Sequence, residues 1–264
     1  LSWTPTSDTL FYANVSRGYK AGAFGTLPLV AAGQSRPVTQ ESVLAYEAGF
    51  KTSFLRGVQV AGALFRYDYS DKQLRGLVDL GPPFGRLPAL AAIPKSRING
   101  AELNLTWRPV DALTLRLGST YIDSKVLLPK GAPLSINNVP DPVGATFNTT
   151  GSAFPNTPKW QLTFDSEYKY PVSSSWSGFV GAGGTYRSDT RSFFGGDQNY
   201  EIPGYALIDV RAGFERDGGN LRIMFWGKNV ANKYYRINSA RIHDTINWSV
   251  GMPVTYGVTI STKL

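Results

Sequence analysis

Apolar and polar residues alternate one by one along much of this chain of 264 residues. The clearest run is 160–170, where Trp160, Leu162 and Phe164 alternate with polar side chains. The same period appears at 101–108, 113–121, 206–214 and 254–264, and more weakly at 9–20, 43–53, 57–69, 177–187 and 220–229. Because successive side chains of a strand point to opposite faces, the pattern predicts ten strands, preceded by the end of another at 1–3.

The lengths of the strands and loops narrow the fold class. The predicted strands have about 10–13 residues, whereas soluble strands average about 5–6 and tilted membrane strands need about 9–11. Short connections at 4–8, 54–56, 108–111, 171–176 and 216–219 alternate with long ones at 21–42, 70–94, 125–157, 188–203 and 230–252. This rhythm is typical of an all-β, antiparallel, up-and-down transmembrane barrel, with short periplasmic turns and long extracellular loops. A Greek-key sandwich does not require it.

The ends of the predicted strands are rich in aromatic residues. They are Trp3, Trp107, Tyr168 and Tyr170 at the short turns, and Tyr19, Tyr67, Tyr69, Tyr121 and Tyr186 at the long loops. Two aromatic girdles, one at each membrane interface, would produce this distribution, although aromatic residues favour strands in general. In the segment 221–228 we expect Leu221, Ile223 and Phe225 to face lipid, and the charged residues between them to face a wet lumen.

Composition excludes several kinds of site. The chain has no cysteine and a single histidine, His243, which argues against disulfides, thiol nucleophiles and most histidine-based metal sites. Glu102, Asp165 and Glu167 alternate with other polar residues, which favours a wet lumen over paired catalytic carboxylates. The glycines of 178–184 lack the spacing of a dinucleotide loop and indicate strand positions that something approaches closely. We therefore expect no enzyme activity, no cofactor and no resident metal.

The net charge of +8 is spread singly rather than in blocks, so we expect no nucleic-acid partner. By contrast, the predicted long loops carry an excess of basic residues, which would attract anionic ligands. A ferric chelate and anionic lipopolysaccharide both fit that charge. An aromatic pair beside an arginine, as in 191–194, suits a planar chelate. The candidate ligand-binding residues are Arg187, Arg191, Phe193, Phe194, Tyr200, Tyr234, Tyr235, Arg236 and Arg241.

Six segments, in order, resemble the barrel strands of TonB-dependent outer-membrane receptors. They are TLFYANVSRGYKAGAF (9–24), SVLAYEAGFKTSF (42–54), GALFRYDYSD (62–71), INGAELNLTWRP (98–109), FWGKNVANKYY (225–235) and PVTYGVTISTKL (253–264). Each segment is weak evidence alone, but six with matching order and spacing identify the family. The resemblance implies that residues 1–264 are the C-terminal portion of a 22-stranded barrel, without the N-terminal plug and the first strands.

The resemblance also implies the function and the location. The whole protein would be an energy-coupled uptake receptor for a ferric siderophore or similar scarce nutrient in the outer membrane of a Gram-negative bacterium. Its partners would be outer-membrane lipid and lipopolysaccharide, the small-molecule nutrient, and the TonB complex, the last through the missing N-terminal part. A passive porin or adhesin barrel is the main alternative, and a soluble all-β binding domain is a weaker one.

Overall fold

A computed structural model describes residues 1–24, 37–55, 57–79, 82–83, 86–127, 150–194, 198–216, 218, 220–242 and 245–262. Within these ranges the chain is almost entirely strand and turn, with one three-residue 3-10 turn at Gln198–Tyr200. No helix in the described part is long and apolar enough to cross a membrane.

The described residues form fifteen strands. In chain order they are β1 (Ser2–Thr6), β2 (Thr9–Lys20), β3 (Glu41–Phe54), β4 (Val58–Asp79), β5 (Arg86–Val110), β6 (Leu113–Val126), β7 (Trp160–Ser173), β8 (Trp176–Arg187), β9 (Thr190–Arg191), β10 (Glu201–Ile202), β11 (Tyr205–Arg216), β12 (Leu221–Lys228), β13 (Arg236–Ile242), β14 (Thr245–Val250) and β15 (Thr255–Thr262). Eleven of them make one sheet, in the order β1-β2-β3-β4-β5-β6-β7-β8-β11-β12-β15. Every pairing in it is antiparallel, as the sequence predicts. The prediction of ten strands plus a preceding strand end is therefore confirmed.

Two of the predicted long loops contain more structure than the alternation indicates. Strands β4 and β5 continue as a ladder through 72–79 and 86–93, a region predicted to be loop. Strands β13 and β14 form a separate hairpin within the connection after β12. The loop prediction was wrong at these places because a ladder that extends away from lipid does not need an apolar stripe, and so lacks the pattern.

The sheet has one apolar face and one polar face, and the strand register defines them. Directly opposed residues of antiparallel strands share a face. Leu105 is opposed to Leu117, which is opposed to Phe164, and these residues mark the apolar face. Thr106, Arg116 and Asp165 are likewise opposed in turn and mark the polar face.

The apolar face is exposed rather than packed against a second layer. Phe164 is 46% exposed and Ile260 is 65% exposed, although both are large apolar side chains. Such a surface is unusual for a soluble protein and is expected where lipid is the solvent.

Most of the aromatic residues predicted to form the two girdles lie on the apolar face of the sheet. Trp107, Tyr168 and Tyr186 are on the apolar face and 43%, 46% and 40% exposed. Tyr67 and Tyr69 do not follow the prediction, because they are opposed to Ile98 and Ser96, on the polar face. In this part of β4, aromatic residues occupy one face and charged residues the other. The two-residue period does not show which of these two faces is turned to lipid.

The segment after β12 is fixed by a buried asparagine. Asn229 is 4% exposed, and its backbone has a φ of 48°, in the left-handed region that asparagine tolerates. Its side-chain amide donates to the carbonyl oxygens of Lys233 and Met252 at 2.9 and 3.1 Å, and its Oδ1 accepts from the Lys233 N–H at 2.8 Å. This residue ends the strand and joins the two ends of the following loop, which explains the asparagine in the motif NVANKYY.

Candidate functional site

The polar face carries a network of ion pairs that begins with Arg211 on β11. Its Nη1 lies 2.7 Å from Asp165 Oδ2 and its Nε lies 2.9 Å from Glu167 Oε2, both on β7. Strand β8 lies between β11 and β7, so the side chain must cross it. It does so above Gly181, where an added Cβ would lie 2.8 Å from Arg211 Cζ. The glycines of 178–184 thus include one that a side chain approaches closely, as the sequence indicated.

The network continues to β12 through Arg222. Its guanidinium donates to Glu215 at 2.9 Å and to Glu167 at 3.0 Å, and its Cζ lies 3.8 Å from the ring centroid of Phe179. Lys169 pairs with Glu215 at 2.7 Å, and Arg116 pairs with Asp165 at 3.1 Å. The side chains are partly exposed, so the pairs act as a connected polar lining rather than as a buried catalytic group.

A second polar group lies on the same face nearer to β1. The hydroxyl of Tyr12 donates to Glu47 Oε1 at 2.9 Å. The register turns Tyr67 and Glu102 to this face as well. In the part of the chain that the structure describes, no cluster of His, Cys, Asp or Glu is arranged to hold a metal ion. The acidic residues that the sequence assigned to a wet lumen, Glu102, Asp165 and Glu167, therefore all lie on the polar face, and Asp165 and Glu167 accept hydrogen bonds from Arg211 there.

Three of the long loops pack together at the far end of the sheet. The N–H of Asn156 donates to the carbonyl oxygen of Arg191 at 2.7 Å. Ser239, on β13, is hydrogen-bonded to the loop that follows β8. Its N–H donates to Ser192 Oγ and its hydroxyl donates to the Asn199 carbonyl oxygen, each at 2.8 Å. The described residues of 150–159, 188–194, 198–202, 229–242 and 245–252 thus form one connected layer, which we call the loop layer.

The loop layer borders a cavity of about 510 Å³. The charged and aromatic residues of its lining are Phe154, Lys159, Trp160, Tyr186, Asp189, Arg191, Phe193 and Phe194. Arg191, Phe193 and Phe194 were predicted from the sequence, and the structure brings them together here. Phe154 and Lys159 were missed because they belong to a loop without periodicity. Trp160 and Tyr186 were noticed only as aromatic residues of the strands.

The predicted residues in this cavity also have structural contacts. Arg191 pairs with Glu201 at 2.8 Å. The ring of Phe193 meets that of Tyr200 edge to face, with centroids 5.1 Å apart. Phe194 packs against a small buried cluster of Ile93, Val126 and Phe154.

The other predicted ligand residues lie elsewhere. Tyr200 is only 5% exposed, so its ring forms part of the interior of the loop layer. Tyr235 packs on Tyr205 with centroids 4.6 Å apart, and Arg236 lies over the ring of Trp248 at 3.5 Å. Tyr234 is 65% exposed. Arg187 is half-buried opposite Tyr205, and the side chain of Arg241 lies outside the described residues. Their role in binding stays a prediction.

Comparison with solved structures shows the fold of this chain within larger receptors. The ferric yersiniabactin uptake receptor FyuA from Yersinia pestis is 17% identical, with a TM-score of 0.72 over 98% of this chain and 35% of its own. The siderophore receptor PiuA from Acinetobacter baumannii is 21% identical, with a TM-score of 0.66 over 98% and 34%. The copper transporter OprC is 13% identical, with a TM-score of 0.69 over 98% and 38%. The chain thus spans roughly a third of the length of the structures that it matches.

A family model described as "TonB dependent receptor-like, beta-barrel" matches residues 1–230, which is most of the chain. Members of this family are outer-membrane β-barrel proteins of Gram-negative bacteria, and they are transporters rather than enzymes, so the sequence-based expectations on location and enzyme activity are confirmed. The apolar face is accordingly the lipid side of the wall, and the polar face is the lumen side. The chain belongs to the family of TonB-dependent receptor β-barrels.

Proposed function

We propose that the full-length protein that carries this chain takes up a scarce nutrient across the outer membrane by energy-coupled transport, and that the nutrient is a ferric siderophore or a similar metal chelate. The observation that carries the choice of ligand is the cavity of about 510 Å³ at the loop layer, whose lining includes five aromatic residues and two cationic ones. The aromatic residues are Phe154, Trp160, Tyr186, Phe193 and Phe194, of which Trp160 and Tyr186 are in register with the apolar face of the sheet.

The chemistry of this lining suits a planar, anionic chelate. Aromatic faces contribute stacking and desolvation, while Lys159 and Arg191 contribute positive charge beside them. Arg191 already pairs with Glu201, and Asp189 also lines the cavity, so the local excess of positive charge is small. The aromatic rings would therefore contribute most of the affinity, and the charge would mainly orient the ligand.

The names of the similar structures support this choice without fixing it. Two of the three are receptors for siderophores, and the third is a copper transporter. At 13–21% identity they share the fold, not a demonstrated ligand. Energy coupling through the TonB complex would require a segment outside residues 1–264, as the family resemblance implies.

The direct test is ligand binding by the purified full-length protein in detergent, followed through tryptophan fluorescence because Trp160 lines the cavity. A panel of ferric siderophores, their iron-free forms and ferric citrate would be titrated. We expect at least one ferric chelate to quench the tryptophan fluorescence in a saturable way. A strain that lacks the gene should then fail to grow with that chelate as its iron source. Absence of quenching by the whole panel, together with ion conductance in planar bilayers, would favour the passive porin instead.

A further inference from the structure

The apolar face carries a group of basic residues close to the long-loop ends of its strands. The group, which we call the basic strip, consists of Arg17, Arg66, Lys95, Arg97 and Lys125. The register places all five on the same face as Leu105, since each is opposed to, or in line with, residues of that face on the neighbouring strands. Charged residues on the lipid side of a barrel wall are costly within the hydrocarbon layer, so these side chains mark the level of lipid headgroups.

Three members of the strip share one row of the sheet. Arg17 is opposed to Leu44, Leu44 to Asp68, Asp68 to Arg97, and Arg97 to Lys125. With neighbouring strands about 4.8 Å apart, the row of five strands extends over about 19 Å. Arg66 and Lys95 occupy the adjoining rows of β4 and β5. The positive charges therefore cover a continuous area rather than a single point.

One carboxylate holds two of the arginines in place. Asp68 Oδ2 accepts from Arg66 Nε at 2.9 Å, and its Oδ1 accepts from Arg97 Nε at 2.6 Å. Both bonds use Nε, and within the described residues neither arginine donates another side-chain hydrogen bond through its Nη groups. Two guanidiniums fixed side by side with unused Nη donors are suited to bind the oxygens of a phosphate.

The strip keeps a clear excess of positive charge. The five basic residues of the strip share the apolar face with two acidic residues, Asp68 and Asp123, so the net charge of the area is +3. Lys125 is 52% exposed and Arg66 is 48% exposed at the side chain, although Lys125 pairs with Asp123 at 2.8 Å. An exposed net charge of this size needs an anionic counterpart near the surface.

The rest of the apolar face is different. On β7, β8, β11, β12 and β15, the described residues in register with that face include one charge, Arg216 at the short-turn end of β11, and are otherwise mostly Tyr, Phe, Leu, Ile, Val and small residues. The basic strip is therefore confined to one side of the wall, over β2–β6. A general need for charge at the membrane surface would not produce that asymmetry.

We propose that the basic strip binds the phosphate groups of a phosphorylated lipid of the outer leaflet. The occupant is a lipid rather than a soluble anion because each charged position continues into apolar ones along its own strand. Val15, Leu64 and Leu103 lie two to six residues from the strip on the same face and are 65%, 67% and 42% exposed. Phosphate groups would meet the guanidiniums while acyl chains cover these side chains.

The test is retention of lipid by the full-length protein, measured by native mass spectrometry after reconstitution with bisphosphorylated lipid A in phosphatidylcholine nanodiscs. The test variant combines Arg66→Gln, Arg97→Gln and Lys125→Gln. The matched control combines Lys20→Gln, Lys51→Gln and Lys228→Gln, which removes the same charge from the polar face. We expect retained lipid A to fall at least tenfold in the test variant and to be unchanged in the control.

Two further measurements keep the outcome decisive. Lipid A without phosphate should be retained no better by the wild type than by the test variant. If the test variant does not fold, Lys125→Gln alone should still lower retention by a measurable fraction. Equal retention by the test variant and the wild type would overturn the proposal, as would displacement of the bound lipid by millimolar inorganic phosphate, which would indicate a site for free anions. Neither result depends on the nutrient ligand, so the proposed function is tested separately.

Discussion

Arg211 reaches its partners on β7 by crossing strand β8 directly above Gly181. A Cβ added at Gly181 would lie 2.8 Å from Arg211 Cζ and 2.6 Å from the carbonyl oxygen of Ser166. The glycine is therefore required both by the Ser166 carbonyl oxygen and by the arginine, and the arginine joins strands that are not neighbours in the sheet. This relationship links a glycine-rich segment, which could be mistaken for a phosphate loop, to the polar lining of the wall.

Replacing Gly181 by valine is expected to separate Arg211 from Asp165 and to strain β8. Overpacking of this kind costs about 1–3 kcal/mol, and the lost ion pairs add to it. The temperature at which the folded full-length barrel loses its fast migration in cold SDS gels should fall. Gly183→Ala is the control, because its Cβ would meet nothing closer than 3.5 Å. An unchanged transition in Gly181→Val would show that the crossing is not tight.

Removing the guanidinium of Arg211 is expected to leave Asp165 and Glu167 short of positive charge. Arg211→Gln should destabilise the barrel by about 1–2 kcal/mol, a value reduced because the side chains are partly exposed. Urea unfolding of the full-length protein measures this, and the loss should shrink in high salt. Arg211→Lys restores the charge but not the forked geometry, and we expect it to recover only part of the stability. Full recovery by lysine would contradict the role of the fork.

Asn229 is expected to be essential for the turn after β12. Asn229→Ala removes two donated hydrogen bonds and one accepted bond at a residue with a φ of 48°. The expected cost is about 2–3 kcal/mol, and susceptibility of the 230–252 loop to protease should rise. Asn229→Gly keeps the backbone conformation while losing the same side-chain bonds. If both variants are as protease-resistant as the wild type, the hydrogen bonds of Asn229 do not hold the loop.

The cavity at the loop layer makes the binding prediction specific. Phe193→Ala should weaken binding of the cognate ferric chelate about tenfold, because it removes a ring from the lining without touching the buried cluster around Phe194. Lys159→Gln should weaken binding less than Phe193→Ala does. The loss of affinity caused by Lys159→Gln should be larger at low salt, where the charge is screened less. Lys51→Gln, on the polar face near a short turn, serves as the control. Equal affinity of Phe193→Ala and the wild type would place the binding site elsewhere.

The sequence predicts the sheet better than the site. Strands such as 160–170 alternate because one face meets lipid and the other meets water, and that pattern is readable without a structure. The extension of β4 and β5 beyond residue 71 is not readable in the same way, because outside the membrane both faces meet water. Contacts between distant segments, such as Asn156 with Arg191, depend on how the loops fold over one another, which no local period encodes.

The same limit applies to individual side chains. Tyr200 was a reasonable ligand candidate as an aromatic residue in a long loop, yet its ring is buried against Phe193. Phe154 has no sequence signal, since it stands in an irregular loop, yet it joins the buried cluster and lines the cavity. Burial within a loop layer follows from tertiary packing, and sequence alternation reports only on the strands.

The central claim is that the wall has lipid on the face of Leu221, Ile223 and Phe225 and water on the face of Arg222, Met224 and Trp226. The most direct test places nitroxide labels singly at positions 221–226 of the full-length protein in bilayers. Collision rates with oxygen and with a water-soluble nickel chelate are then measured. We predict high oxygen access at the odd positions and high nickel access at the even ones. Uniform access to the nickel chelate at all six positions, or an opposite alternation, would contradict the account.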